Sequence, residues 1–144
     1  MNRALFTILV LGLPTAAAPV PKELKKDPLV GTWKVVSVNS NGSVGQAATD
    51  HWTIEDGGDL NSHNGARAPA NPSPAVRLIF DPARRSVEYY RTQDRSGSPG
   101  IYKMEGETLT IAFNHASDIR PVSFTSGQGI NLWTFTRIQP EGKR

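Results

Sequence analysis

The 144-residue chain contains no cysteine, so it can form no disulfide and offers no thiolate as nucleophile or metal ligand. Its three histidines, His51, His63 and His115, lie 12 and 52 residues apart. None stands at the short spacing from another that a zinc site takes, so no metal ligands are assigned. The G-x-S-x-G turn of a serine hydrolase is missing as well. Glu88, Glu105 and Glu107 read as solvent-facing strand or hairpin residues, not as a paired acid and base. No catalytic residue and no cofactor is therefore expected, and the chain does not read as an enzyme. Helical-period patterning over ten residues is lacking, and no apolar run approaches the roughly twenty residues of a membrane-spanning helix.

Charge of one sign is also scarce. Sixteen Lys and Arg face thirteen Asp and Glu, a net +3, with both signs interspersed, which serves solubility first. Arg77, Arg84, Arg85, Arg91 and Arg95 gather around Tyr89 and Tyr90, but Arg77 alternates with core positions as an ordinary outer-face residue does. A nucleic-acid partner is not expected. The stretch beginning DGGDLNSHNG at Asp56 has a superficial likeness to a calcium loop. Its glycine falls one place late, at Gly65, and position twelve is Ala70 instead of glutamate.

What is present begins with MNRALFTILVLGLPTAAAPV. A positive charge at Arg3, an apolar run from Ala4 to Leu13 and small residues from Thr15 to Ala18 follow the order of a secretory signal peptide. Pro19 sits badly just after a cut at Ala18, so the signal is assigned to residues 1–17; a buried N-terminal helix is the alternative. The expectation is an exported protein, periplasmic or extracellular, with no lipid-anchoring cysteine. Residues 18–28 form a linker or a short helical turn, in which Leu24, with Leu29 just beyond it, can plug one end of the domain. Residues 29–139 form that one domain and 140–144 a tail. About 127 mature residues bury roughly two-thirds of their unfolded surface without needing staples.

From Gly31 onward the pattern is short strands and turn residues. Strands are predicted over 32–39, 51–55, 76–80, 86–91, 100–104, 107–113, 121–125 and 131–138. Leu109, Ile111 and Phe113 form a strict period-two face. Asn41-Gly42 and Glu105-Gly106 suit tight hairpins, and Asp81-Pro82 starts a turn. Asp56–Ala75, rich in Gly, Asn, Pro and Ala, reads mostly as a mobile loop with a short strand fitting near Asp59–Asn61. Eight short antiparallel strands without covering helices favour a closed up-and-down barrel, because closure removes exposed edges. A sandwich is the alternative.

The triplet Gly31-Thr32-Trp33 opens the first strand. An indole there seals one end of a barrel, and Arg137 of the last strand can lie across its ring. GTWKVVSV with a terminal-strand arginine resembles the G-x-W signature of lipocalins. More closely, LVGTWKVVSVNSNG, LIFDPARRSVE, GIYKMEGETLTIAF and RPVSF, in that order over most of residues 29–138, are similar to a family of small exported lipocalin-like domains of planctomycete bacteria. The resemblance implies an eight-stranded, lipocalin-like antiparallel barrel and no established activity.

An eight-stranded barrel is either packed with side chains or holds one small ligand. Trp33, Val35, Val38, Trp52, Ile54, Val76, Leu78, Phe80, Val87, Tyr89, Ile101, Leu109, Ile111, Phe113, Phe124 and Phe135 are the expected inward set. Within it, Trp52, Leu78, Phe80, Tyr89, Ile101, Ile111, Phe113 and Phe135 are expected to meet a ligand, while Gly31, Trp33 and Arg137 close the barrel. The function expected is a monomeric binding module for a small apolar or amphipathic molecule. The alternative is a filled barrel, a structural or interaction domain of the cell envelope whose loops meet another protein.

Overall fold

A computed structural model describes residues 27–65 and 75–139. The signal peptide expected at 1–17, most of the linker and the 140–144 tail lie outside the described residues, as does most of the proline- and alanine-rich loop at 66–75. Nine strands follow one another: β1 (Gly31–Ser40), β2 (Ser43–Gly45), β3 (His51–Ile54), β4 (Asp59–His63), β5 (Val76–Asp81), β6 (Ser86–Arg91), β7 (Ser96–Glu105), β8 (Thr108–Asn114) and β9 (Ile130–Arg137). The described residues contain no helix, hence none long and apolar enough to cross a membrane.

Local chemistry sets the turns. Asn41 and Gly42 both adopt positive φ, 52° and 79°, as the tight turn joining β1 to β2 requires. The β5–β6 turn is fixed by Asp81, whose Oδ1 accepts from the backbone N–H of Ala83 at 3.1 Å and Arg84 at 3.2 Å. Asp94 does the same between β6 and β7, accepting from the Ser96 N–H at 3.0 Å.

Each strand pairs antiparallel with its neighbour, β1 skips past β2 to pair with β3, and β9 returns to pair with β1. Strands β1 and β3–β9 thus close an eight-stranded up-and-down barrel of lipocalin-like form, with β2 a short flap on the far half of β1. The inner face carries Trp33, Trp52, Ile54, Leu60, Leu78, Val87, Leu109, Ile111, Phe113 and Phe135, all nearly or fully buried. A bulge between Val35 and Ser37 shifts the register of β1 against β9, so Val35 faces inward before it and Val38 after it.

Two expectations are corrected. No strand forms at 121–125. Pro121 has no N–H to give a ladder, and Arg120 is committed elsewhere: its Nη1 donates to Gly100 O at 3.1 Å and its Nη2 pairs with the Glu88 carboxylate. Phe124 is correspondingly not an inner residue; it lies beneath Lys103 Nζ, 5.4 Å from the ring centroid. The eighth place in the barrel belongs to β4, within the stretch that reads mostly as a loop.

The β4–β5 seam is the thinnest, with only Asp59 opposite Arg77 and Leu60 opposite Val76. Gly58 extends it, its carbonyl accepting from Leu78 N–H at 2.7 Å. Gly58 has a φ of +90°, and a Cβ there would fall 2.0 Å from Leu78 O. Gly58→Ala is therefore expected to cost roughly 2–5 kcal/mol, left-handed strain plus a backbone clash. Gly57, at φ +91° with open space around it, isolates the strain alone, about 1–2 kcal/mol. Urea denaturation of the two alanine variants checks this; equal losses would contradict the close approach.

Candidate functional site

One end of the barrel is sealed by the opening triplet. Trp33 is fully buried, and its Nε1 donates to Leu29 O at 3.0 Å. Arg137 Cζ stands 4.2 Å from the Trp33 ring centroid. The same guanidinium donates to Val30 O at 3.1 Å and to Pro28 O, and its Nε lies 3.5 Å from Glu107. Gly31 takes a φ of +141°, and a Cβ there would come 2.9 Å from Arg137 Nη1. The glycine of the triplet thus makes room for the arginine that lies over its tryptophan. Leu29, also buried, completes the plug. Two clefts flank it, about 240 Å³ beside Ile54, Gly58 and Leu78 and about 390 Å³ beside Pro82, Tyr102 and Met104.

Above this floor the interior is dry. Leu78, Val87, Leu109, Ile111, Phe113 and Phe135 are 0–1% exposed. Trp52 packs against Phe135 and Trp133 with ring centroids 4.7 and 4.8 Å away. Phe80 meets the edge of Tyr102 at 5.0 Å.

The opposite half differs. Register places Ser40, Ser62, Tyr89, Ser98, Asn131 and Trp133 on the inner face, and all six keep contact with solvent, Ser62 most of all. His115, just beyond β8, joins them. Its Nδ1 lies 2.8 Å from Ser98 Oγ, and its ring sits 5.7 Å from Tyr89 and 5.8 Å from Phe113. Burial against these rings, and then the Arg91 charge, hold the His115 pKa below the usual imidazole value. Burial likewise pushes the Tyr89 phenol up. Both side chains are therefore uncharged near neutral pH.

The depressed His115 has a consequence for stability. The unfolded imidazole takes up a proton near pH 6.5 and the folded one only at lower pH, so stability is full above 6.5 and falls as pH drops toward the folded value. Melting temperatures measured between about pH 7.5 and 5 should fall less steeply for His115→Gln than for the parent. Parallel curves would contradict the packing described.

Of the residues expected to meet a ligand, Trp52, Leu78, Phe80, Tyr89, Ile111, Phe113 and Phe135 share the inner face. Ile101 does not. Gly100 and Tyr102 take the inner positions of β7, leaving Ile101 opposite Ser86 and Ala112 on the outer face. Gly100 is forced there, since a Cβ would come 2.7 Å from both Ala112 O and Phe113 Cδ1. Leu60, Tyr102 and Trp133 are inner residues that the sequence pattern does not single out. Trp133 was within its reach, standing two positions from Phe135 on one strand.

The structure also joins two histidines that sequence spacing separates. His51 and His63 are opposite each other across β3 and β4, rings stacked at 5.7 Å. Asp50 Oδ1 lies 2.7 Å from His51 Nδ1 and accepts from Gly65 N–H at 2.8 Å. Chiefly the hydrogen bond from His51 lowers the Asp50 pKa. Both His63 nitrogens are engaged, with Thr53 Oγ1 at 2.9 Å and Gly65 O at 2.8 Å. This cluster fastens the hairpin, and among the described residues no three His, Cys, Asp or Glu side chains converge as a metal centre needs. Asp59, in the calcium-like stretch, is paired instead with Arg77 at 2.8 Å.

Comparison with protein-family models, with curated proteins and with solved structures finds no match. The reading of function therefore rests on the barrel and on the contrast between its two halves.

Proposed function

We propose that the protein is an exported, monomeric, lipocalin-like binding module that holds one small apolar or amphipathic molecule in the half of its barrel away from Trp33. The observation that carries this reading is the solvent contact kept by the inward-facing Tyr89, Ser98, Asn131 and Trp133 above a floor excluded from water. Concave sites with apolar walls and a few polar groups are the usual form of a small-molecule site. Export rests on the signal-like order of residues 1–17, and kinship with the planctomycete family rests on the quoted segments.

The test is titration of the pure protein with a panel of hydrophobic fluorophores, followed by tryptophan quenching. Saturable one-to-one binding is expected. Ser62→Trp, which places an indole on the inner face opposite Trp52, should abolish it. Binding that survives Ser62→Trp would move the site to the clefts beside Leu29. No response across the panel would favour a filled barrel that serves as a structural or interaction domain.

A further inference from the structure

The cleft of about 390 Å³ at the Trp33 end of the barrel contains polar groups that the fold itself does not use up. Its described walls are Asp27, Pro28, Leu29, Pro82, Tyr102 and Met104. Leu29 is the plug beside Trp33, and Pro82 belongs to the turn between β5 and β6. Tyr102 and Met104 stand two positions apart on β7 and so share one face. Apart from Asp27 and the Tyr102 hydroxyl, every side chain of this wall is apolar.

The Tyr102 hydroxyl is both unpartnered and reachable. Tyr102 is only 9% exposed, its ring meets Phe80 edge to face, and its oxygen makes no hydrogen bond. Among the described residues, Trp133 Nε1 alone is a side-chain nitrogen or oxygen both shut off from solvent and without a partner. The Tyr102 oxygen therefore opens onto the cleft whose wall it forms. Burial, then the Asp27 and Asp81 charges, push the phenol pKa up, with Arg85 opposing. The hydroxyl thus keeps its proton near neutral pH and can donate or accept. Asp27 Oδ1 accepts from the Leu29 N–H at 2.9 Å, and the carboxylate enters no ion pair among the described residues. No lysine or arginine is among the described residues of the wall. Glu55, in the adjoining cleft that shares Asp27 and Leu29, has no ion pair either. A carboxylate only accepts, so this wall offers a ligand more acceptors than donors.

From these observations we infer that the cleft is a second binding site, which takes a small apolar organic cation with an ammonium head. The ammonium pairs with Asp27 and donates a hydrogen bond to Tyr102 Oη, while the hydrocarbon body lies on Pro28, Leu29, Pro82 and Met104. An ionised group is costly to bring out of water unless it is paired, and Asp27 supplies the pair. An anionic head would meet Asp27 as a like charge. This site lies at the opposite end of the barrel from the one proposed above and does not depend on it.

Three probes of similar size test it at neutral pH: 1-naphthylmethylammonium, uncharged 1-methylnaphthalene and the anion 1-naphthoate. The readout is the NMR shift of the Met104 methyl in protein labelled with ¹³C-methyl methionine, Met104 being the one methionine besides Met1. The ammonium is expected to shift that methyl saturably and to bind about three- to tenfold more tightly than methylnaphthalene, the gain of one ion pair and one hydrogen bond, with naphthoate the weakest. Asp27→Asn, which keeps an oxygen for the Leu29 N–H, should remove about three- to fivefold of that advantage. Tyr102→Phe, which keeps the ring, should cost the ammonium about two- to tenfold and leave methylnaphthalene unchanged. Melting curves establish that the variants are folded; should Tyr102→Phe not fold, Asp27→Asn at the exposed rim still decides the case. Ser62→Trp, in the lumen, should leave all three titrations as they are. Naphthoate binding as tight as the ammonium's, or an ammonium advantage that survives Asp27→Asn, would overturn the ligand class. A Met104 methyl that none of the probes shifts, or a shift abolished by Ser62→Trp, would overturn the site and leave the lumen reading untouched.

Discussion

Trp33→Ala is expected to lower the unfolding free energy by about 3–5 kcal/mol, the range for deleting a fully buried tryptophan. The substitution removes the plate that fills one end of the barrel and the donor to Leu29 O, and it leaves Arg137 with no ring beneath it. Arg137→Ala should cost less, about 1–3 kcal/mol. It forfeits a cation–π contact worth roughly 0.5–2 kcal/mol and strands the Val30 and Pro28 carbonyls. Because the two residues touch, the double variant should cost less than the sum of the singles. Guanidinium denaturation of the three variants decides it. Melting of both singles with the parent would contradict the account of the Gly-Thr-Trp triplet.

Phe113→Ala is expected to cost about 3–5 kcal/mol and Phe124→Ala under about 1 kcal/mol. Phe113 is fully buried against Tyr89, whereas Phe124 lies outside the barrel beneath a single lysine. The sequence offers both as inward phenylalanines of short strands, so this pair separates the observed topology from the one with a strand at 121–125. Comparable losses would place Phe124 in the core and undo the correction.

Much of the barrel is legible because its strands are half-buried and alternate. GIYKMEGETLTIAF reads as a hairpin since Leu109, Ile111 and Phe113 repeat at the strand period and Gly106 supplies the turn. Strand β4 resists the same reading. In Asp59–His63 only Leu60 is apolar, and the residues buried on the outer face, Asn61 and His63, are polar, His63 bonded to Thr53 and Gly65, so no hydrophobic stripe forms. PVSF fails in the opposite sense: its composition suits a strand, but Pro121 and the Arg120–Glu88 pair hold it across another sheet face. Ile101 misleads because hydrophobicity ranks it above its neighbours Gly100 and Tyr102, while packing against Phe113 requires the glycine inside. The stacked pair His51 and His63 needs the β3–β4 register, which is fixed once Ile54 is set opposite Leu60. No local motif announces it. The half of the inner face that keeps solvent contact is invisible to sequence for the same reason: it depends on which serines and aromatics a closed ring brings face to face.

The most direct measurement is ¹⁹F NMR of the protein labelled with 5-fluorotryptophan, its three resonances assigned by Trp→Phe substitution and exposed to a soluble paramagnetic chelate. Trp33 and Trp52, 0% and 4% exposed, should be shielded, while Trp133 should broaden and recover when a saturating hydrophobic fluorophore is added. Equal shielding of all three would mean a barrel filled from end to end, and broadening of Trp33 would mean that its sealed floor does not exist.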